Sequence, residues 1–209
     1  MVIVKKPEGI VAFLKCSSFL ENETSLLYRS LADKVDIPLI KSMLLHIAYD
    51  SQKHSAIFNG MCESIGGSNI TQKDCHKKPN LTWRVVKDLK REISSEKNVH
   101  RETLASLAKK LAVLESNSGE EYFVLVQTKT LEYMTGEIYK RYNVQLKDMK
   151  DIFEVIIRDE ETHKELLSKI RRFLAKDEKK SEETEPAFKY QNPDAWSKPR
   201  PDSVYENAI

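Results

Sequence analysis

Apolar and small residues recur every three or four positions over long stretches of the chain, the period of helices that bury one stripe. From Ile10 to Val35 the stripe runs Leu14, Ser17, Glu21, Ser25, Tyr28, Ala32 and Val35. Asp36-Ile37-Pro38 then ends it, because proline disfavours helical geometry in the residue before it and pre-sets the first turn of the next helix. The second predicted helix, from about Pro38 to Ile65, places Ile40, Leu44, Ile47, Ser51, His54, Phe58 and Met61 on one stripe, and Gly66-Gly67 stops it. A tight antiparallel helix pair follows from these two runs.

Ser68 to Asn80 reads as a loop and Leu81 to Ser95 as a shorter helix. A long helix is predicted from about Arg101 to Tyr142, its stripe passing through Leu107, Leu111, Leu114, Ser118, Glu121 and Leu125, with a kink or break expected near Gly119 or Gly136. The last helix covers roughly Leu146 to Leu174, with Phe153, Ile156, Ile157, Glu160, His163, Leu167 and Ile170 inward. The expected fold is all-α: a four-helix bundle of two antiparallel pairs over residues 1–175, with an additional short helix. Residues 176–209 have a different character. A charged run, Lys179 to Glu185, leads into a stretch holding four of the chain's seven prolines and the aromatics Phe188, Tyr190, Trp196 and Tyr205. That composition describes an extended tail, either disordered or docked on the bundle or on a partner protein or ribonucleoprotein.

Charge narrows the partners. Charged residues make up 32% of the 209 positions, yet the net charge is only +2, so there is no overall pull toward nucleic acid or anionic membranes. Arg84, Lys87, Lys90 and Arg91 follow Trp83 on the short helix, but a solvated helix face is the ordinary reason for such a run. No apolar run reaches the length of a membrane span, and Met1 to Pro7 lacks the layout of a secretory leader, so the expected location is the cytoplasm. In that setting Cys16, Cys62 and Cys75, odd in number and without C-x-x-C spacing, are expected as reduced thiols. Cys75-His76 has no partner cysteines for a metal site, and the N-x-T matches at Asn22, Asn69 and Asn80 are read as chance.

The chemistry lies in an internal repeat. Ile47-Ala-Tyr-Asp-Ser-Gln-Lys-His54 aligns with Ile156-Ile-Arg-Asp-Glu-Glu-Thr-His163, aspartate on aspartate and histidine on histidine. Each copy lies late in a helix pair that opens with an inward glutamate: Glu21 in the first, and Glu121 or its neighbour Glu120 in the second. Glu and His at i and i+3 share a helix face, so Glu160-x-x-His163 offers two ligands to one metal ion while a glutamate from the partner helix completes the site. Ionisable side chains on a buried stripe cost free energy unless paired or metal-bound. Metal ligation and a metal-free polar network with Glu21 and Glu121 both satisfy that demand for Glu160 and His163. His54 fits a hydrogen-bonded core position as well as a ligand, and His46 points further toward solvent.

Glu21 with Tyr28 seven residues later, Leu31-Ala32-Asp33-Lys34-Val35-Asp36-Ile37-Pro38, Ile47-Ala48 and His54 resemble the first helix pair of the rubrerythrin and bacterioferritin branch of the ferritin-like superfamily. Glu121, Asp159, Glu160 and His163 resemble its second pair, so the resemblance spans roughly Gly9 to Leu174. It implies a ferritin-like bundle binding two iron or manganese ions and carrying out ferroxidase, peroxidase or other oxygen chemistry; the sequence is also compatible with a homodimer. The implied metal ligands are Glu21, Asp50, His54, Glu121, Glu160 and His163, and the implied role of Tyr28 is to hydrogen-bond a ligand carboxylate. Without a rubredoxin-like Cys-x-x-Cys pair, a redox partner would be a separate protein.

One position departs from the pattern. Ser51 stands where the family places a glutamate three residues before the second-helix histidine, with Asp50 beside it as a shorter substitute. The second pair is also irregular: Glu121 precedes His163 by 42 positions, whereas Glu21 precedes His54 by 33. Either an insertion near Gly136 to Asp148 or a different glutamate accounts for this. The expected site is therefore asymmetric, with its second half equipped for metal and its first half depleted. The alternative is a non-catalytic interaction module.

Overall fold

The computed structural model describes residues 8–76, 81–127, 129–143 and 145–180; the tail aromatics, its prolines and Asn80 lie outside these. Seven helices and no strand are present among the described residues: α1 Glu8–Ala32, α2 Pro38–Ser64, α3 Gln72–His76, α4 Leu81–Ser95, α5 Arg101–Gln127, α6 Lys129–Tyr142 and α7 Leu146–Lys180. The chain divides into two units, Met1–Ala175 and Lys176–Ile209, and everything below concerns the first. None of the described helices is long and apolar enough to cross a membrane.

The helix boundaries follow local chemistry. Pro38 opens α2 from an extended Ile37. Gly66 and Gly67 close it at positive φ, 105° and 68°, with the Gly67 amide donating to the Cys62 carbonyl at 2.9 Å; a side chain at either position would be strained. The expected loop after Gly67 contains α3, because Thr71 and Asp74 cap it: the Asp74 carboxylate accepts from the Thr71 amide at 3.1 Å and from its hydroxyl at 2.6 Å.

The predicted long helix from Arg101 to Tyr142 is described as α5, Arg101–Gln127, and α6, Lys129–Tyr142, and both Gly119 and Gly136 lie inside helix. Gly136 has open space about it. Gly119 lies within α5 and faces Glu160 of α7: a β-carbon there would stand 3.3 Å from Glu160 Cβ. Its value is close approach beside the buried acids, and α5 continues straight through it in helical hydrogen bonding.

The expectation of reduced thiols fails for two of the three cysteines. Cys16 on α1 and Cys75 on α3, 59 positions apart, form a disulfide with their Cα atoms 5.5 Å apart. Motif spacing reports only neighbours in sequence, whereas this pair is made by tertiary packing of α3 on α1. Cys62 is buried and remains a thiol.

The apolar core has two parts. One holds Leu27, Leu31, Leu44, Ile47, Leu107, Leu111, Leu167 and Ile170. The other holds Leu14, Phe58, Met61, Tyr122, Leu125, Phe153 and Ile156. On α2, α5 and α7 these buried polar residues fall between the residues given to the two clusters, His54 between Ile47 and Phe58, Glu115 and Ser118 between Leu111 and Tyr122, Glu160 and His163 between Ile156 and Leu167, while on α1 Glu21 lies between Leu20 and Leu27 of the first cluster. The stripes thus assemble a polar layer enclosed by hydrocarbon above and below.

Candidate metal centre

Two groups of three side chains have ligand atoms all within 4.8 Å of one another: Glu21, His54 and Glu160, and Glu115, Glu160 and His163. All five residues are buried, none more than 3% exposed. Of the six residues expected from sequence, the structure brings Glu21, His54, Glu160 and His163 together. Glu121 is placed elsewhere. It is half-buried, accepts a hydrogen bond from Thr82 on α4 at 3.0 Å, and lines a cleft of about 170 Å³ beside the disulfide. Its neighbour Glu120 is exposed. Glu115, nearly two turns earlier on α5, is the buried glutamate of that helix and belongs to the second ligand group.

The signal for Glu115 is in the sequence. Glu21 and Tyr28 are seven positions apart, and so are Glu115 and Tyr122. In the structure these repeats cross: Tyr28 Oη donates to Glu115 Oε1 at 2.5 Å, and Tyr122 Oη donates to Glu21 Oε1 in a very short contact. Asp50 and Asp159 cross in the same way. Asp50 lies outside both ligand groups; its Oδ2 accepts from His163 Nε2 at 3.2 Å, while Asp159 Oδ2 accepts from His54 Nε2 at 3.0 Å. The short aspartate side chain, off the stripe centre, reaches the far edge of a neighbouring histidine and not the centre of the layer. Lys53 joins the two aspartates, 2.9 Å from Asp50 and 2.8 Å from Asp159. Its role was not readable from sequence, since nothing in the spacing says that Asp159 lies across from it. His46 is largely exposed and meets Asp50 at 3.4 Å.

With Nε2 of each histidine held by an aspartate, Nδ1 faces inward. His54 Nδ1 lies 3.1 Å from Glu160 Oε1 and 3.9 Å from Glu21 Oε2; His163 Nδ1 lies 3.0 Å from Glu115 Oε2 and 4.0 Å from Glu160 Oε2. A carboxylate behind a histidine is the arrangement that fixes the ring and its tautomer toward a metal ion.

Burial decides the protonation of the layer. It pushes Glu21 up to about 8, against the opposing hydrogen bond from Tyr122 and with help from the nearby charge of Glu115. Burial likewise raises Glu160 well above the carboxylate range, and the charges of Glu115 and Glu21 add to it. For Glu115 burial is outweighed by the hydrogen bond and charge of His163, so its carboxyl titrates below the ordinary range. Burial opposes the His163 imidazolium, but Asp50 and Glu115 outweigh it and raise the group to about 9. Burial lowers His54, which is therefore neutral. Without metal, these shifts favour a Glu115–His163 ion pair beside Glu21 and Glu160, which hold their protons more tightly than ordinary carboxyls, and His54, which gives its proton up more readily.

The residues fit a pair of divalent ions. Two imidazole nitrogens and three carboxylates suit iron, manganese or zinc, and no thiolate is among them. Glu160 belongs to both groups, the place of a bridging carboxylate. Among the described residues, the buried side-chain polar atoms without a hydrogen-bond partner are Ser51 Oγ, His54 Nδ1 and Glu160 Oε1. Such atoms are rare in folded proteins and call for an explanation, which a bound ion supplies. A cleft of about 240 Å³ between α5 and α7 reaches Glu115, Gly119 and Glu160 from the surface, with Glu120, Glu161 and Lys164 at its exposed edge.

The family model described as Rubrerythrin matches residues 12–87, from α1 into α4. No curated protein and no solved structure matches the chain.

Proposed function

The chain belongs to the ferritin-like, rubrerythrin-like superfamily, and from that premise we propose that it binds two iron or manganese ions through Glu21, His54, Glu115, Glu160 and His163 and acts as an oxidoreductase. The observation that carries this reading is the sharing of Glu160 between two buried ligand groups, one on each side of it. Bound there, redox-active ions would exchange electrons with a small oxidant such as dioxygen or peroxide.

The chain's own residues prepare that chemistry. Asp159 and Asp50 aim the Nδ1 atoms of His54 and His163 inward, and Tyr28 and Tyr122 hold one oxygen each of Glu115 and Glu21. The carboxyl protons of Glu21 and Glu160 and the Nδ1 proton of His163 leave as ions enter, so uptake is proton-linked. The apolar clusters keep bulk water from two sides, and the α5/α7 cleft of about 240 Å³, lined by Glu115, Gly119 and Glu160, leads in from the surface.

The test is anaerobic loading of the full-length chain with Fe²⁺ or Mn²⁺, elemental analysis after gel filtration, and then peroxide consumption with a separate electron donor. Close to two ions per chain with turnover supports the reading. Ser51 favours a second reading, a bundle that serves as an interaction module without turnover; stable loading with no peroxide consumption would select it.

A further inference from the structure

The polar layer is nearly two-fold symmetric. Glu21 matches Glu115, Tyr28 matches Tyr122, Asp50 matches Asp159 and His54 matches His163. The remaining pair does not match: Glu160 on α7 stands opposite Ser51 on α2, each three residues before its histidine and each buried, at 3% and 1% exposure.

We propose that Ser51 marks the binding place of a small monocarboxylate, of formate or acetate size, which completes the metal centre where the other half uses the side chain of Glu160. This rests on the two-ion reading above. Serine replaces the CH₂–COO⁻ end of a glutamate by a hydroxyl, so what the chain omits is one carboxylate. Ser51 Oγ is itself one of the three buried polar atoms without a hydrogen-bond partner among the described residues, and the other two belong to residues of the first ligand group. His54 Nδ1 and Glu160 Oε1 lie 3.1 Å apart, and Ser51 Oγ sits one turn before His54 on the same buried face. A hydroxyl can donate as well as accept, and a carboxylate oxygen is a strong acceptor for it.

Charge makes the same demand. Three ligand carboxylates leave a pair of divalent ions with one uncompensated positive charge, in a layer enclosed by two apolar clusters. An unbalanced buried charge costs far more than a balanced one. Asp50, Lys53 and Asp159 together carry one net negative charge, but it lies behind the histidine rings and outside both ligand groups, so it offsets the excess only at second remove. A monoanion restores balance, and it is needed only when the second ion is present. The carboxylate and the second ion therefore bind cooperatively. The α5/α7 cleft offers the route, its exposed edge carrying Lys164 beside Glu120 and Glu161.

The experiment titrates Mn²⁺ into the full-length chain by calorimetry, with elemental analysis of the dialysed product, in carboxylate-free buffer and again with formate or acetate. The unsubstituted chain is expected to take its second ion about tenfold more tightly with formate, a coupling of ordinary size. Ser51→Glu is expected to take two ions without formate and to ignore it. Ser51→Ala, which keeps the space and removes the hydroxyl, is expected to retain a weaker formate effect. A second ion unaffected by formate in the unsubstituted chain overturns the inference while leaving the metal reading intact, as does a Ser51→Glu chain that still responds to formate. Failure of every variant to take any Mn²⁺ overturns the metal reading itself.

Discussion

The α1/α2 half and the α5/α7 half of the polar layer contain the same residue types at the same helical offsets, Ser51 against Glu160 excepted, yet they solve the problem of burial differently. In the α5/α7 half, His163 and Glu115 form an ion pair at 3.0 Å and satisfy one another. In the α1/α2 half, His54 is neutral, Glu21 is held protonated, and His54 Nδ1 and Ser51 Oγ have no hydrogen bond. From sequence, Ser51 suggests a depleted first half and an intact second. The geometry redistributes the loss. Each half contributes a histidine and a glutamate of its own, and Ser51 is the counterpart of Glu160, the residue that serves both groups. What is missing is one of two shared positions, and the unpaired atoms collect on the His54 side.

The largest expected effect comes from the shared residue. Glu160→Gln should weaken both ions by more than about 100-fold, whereas Glu21→Gln and Glu115→Gln should each weaken one, read by elemental analysis after dialysis; the bound ligand's partners alone are worth about 10–100-fold. Equal losses in all three variants would break the assignment of Glu160 to both halves. A covalent tie also separates the halves, since the Cys16–Cys75 disulfide anchors α1 and the α5/α7 half has none among its described residues. Replacing both cysteines with serine should lower stability by about 2–4 kcal/mol in denaturant unfolding and leave the ion count unchanged.

Much of this was readable in the chain. The helical stripes specify four inward helices, and the Asp-x-x-x-His repeat with Glu160 specifies two histidines and one acid. Glu21 was identifiable because Tyr28 follows it at seven positions. The same seven-residue test identifies Glu115 through Tyr122, but a stripe drawn through Leu114 and Ser118 passes equally well to Glu121, one residue before that tyrosine. Periodicity tolerates such a choice because neighbouring positions on a helix differ by only about 100°. The cross-half contacts were beyond it altogether. That Asp50 serves His163, that Lys53 reaches Asp159, and that Cys16 meets Cys75 are facts of tertiary packing, with no footprint in local spacing.

The crossed aspartates give a finer test of the halves. Asp159→Asn should weaken the ion held by His54, and Asp50→Asn the one held by His163, each by about 10–100-fold. Calorimetric titration of the two variants should show opposite steps affected; the same step affected in both would contradict the crossing.

The smallest effect is on the pH dependence of the metal-free chain. Glu21 titrates at about 8 instead of 4.5, and His163 at about 9 instead of 6.5, so between those limits the folded chain binds more protons than the unfolded one. Stability from these groups is therefore lost as pH rises toward 9. Glu115, with its lowered carboxyl, contributes in the opposite sense: its stabilisation is present above the ordinary 4.5 and lost as pH falls through its folded value. Metal-free Tm should be a few degrees lower at pH 9 than at pH 6, about 2–4 °C for each kcal/mol in a chain of this size. Saturating Mn²⁺ should reverse the order, because deprotonated ligands bind metal best. Glu21→Gln should flatten the metal-free slope, and an unchanged slope would remove Glu21 from the protonated set.

The most direct measurement is anomalous X-ray diffraction from crystals of the Mn²⁺-loaded chain. The account predicts two peaks in the polar layer, one beside Glu21 and His54 and one beside Glu115 and His163, with Glu160 touching both. A single peak at Glu121, or none within the layer of an otherwise folded protein, would contradict it.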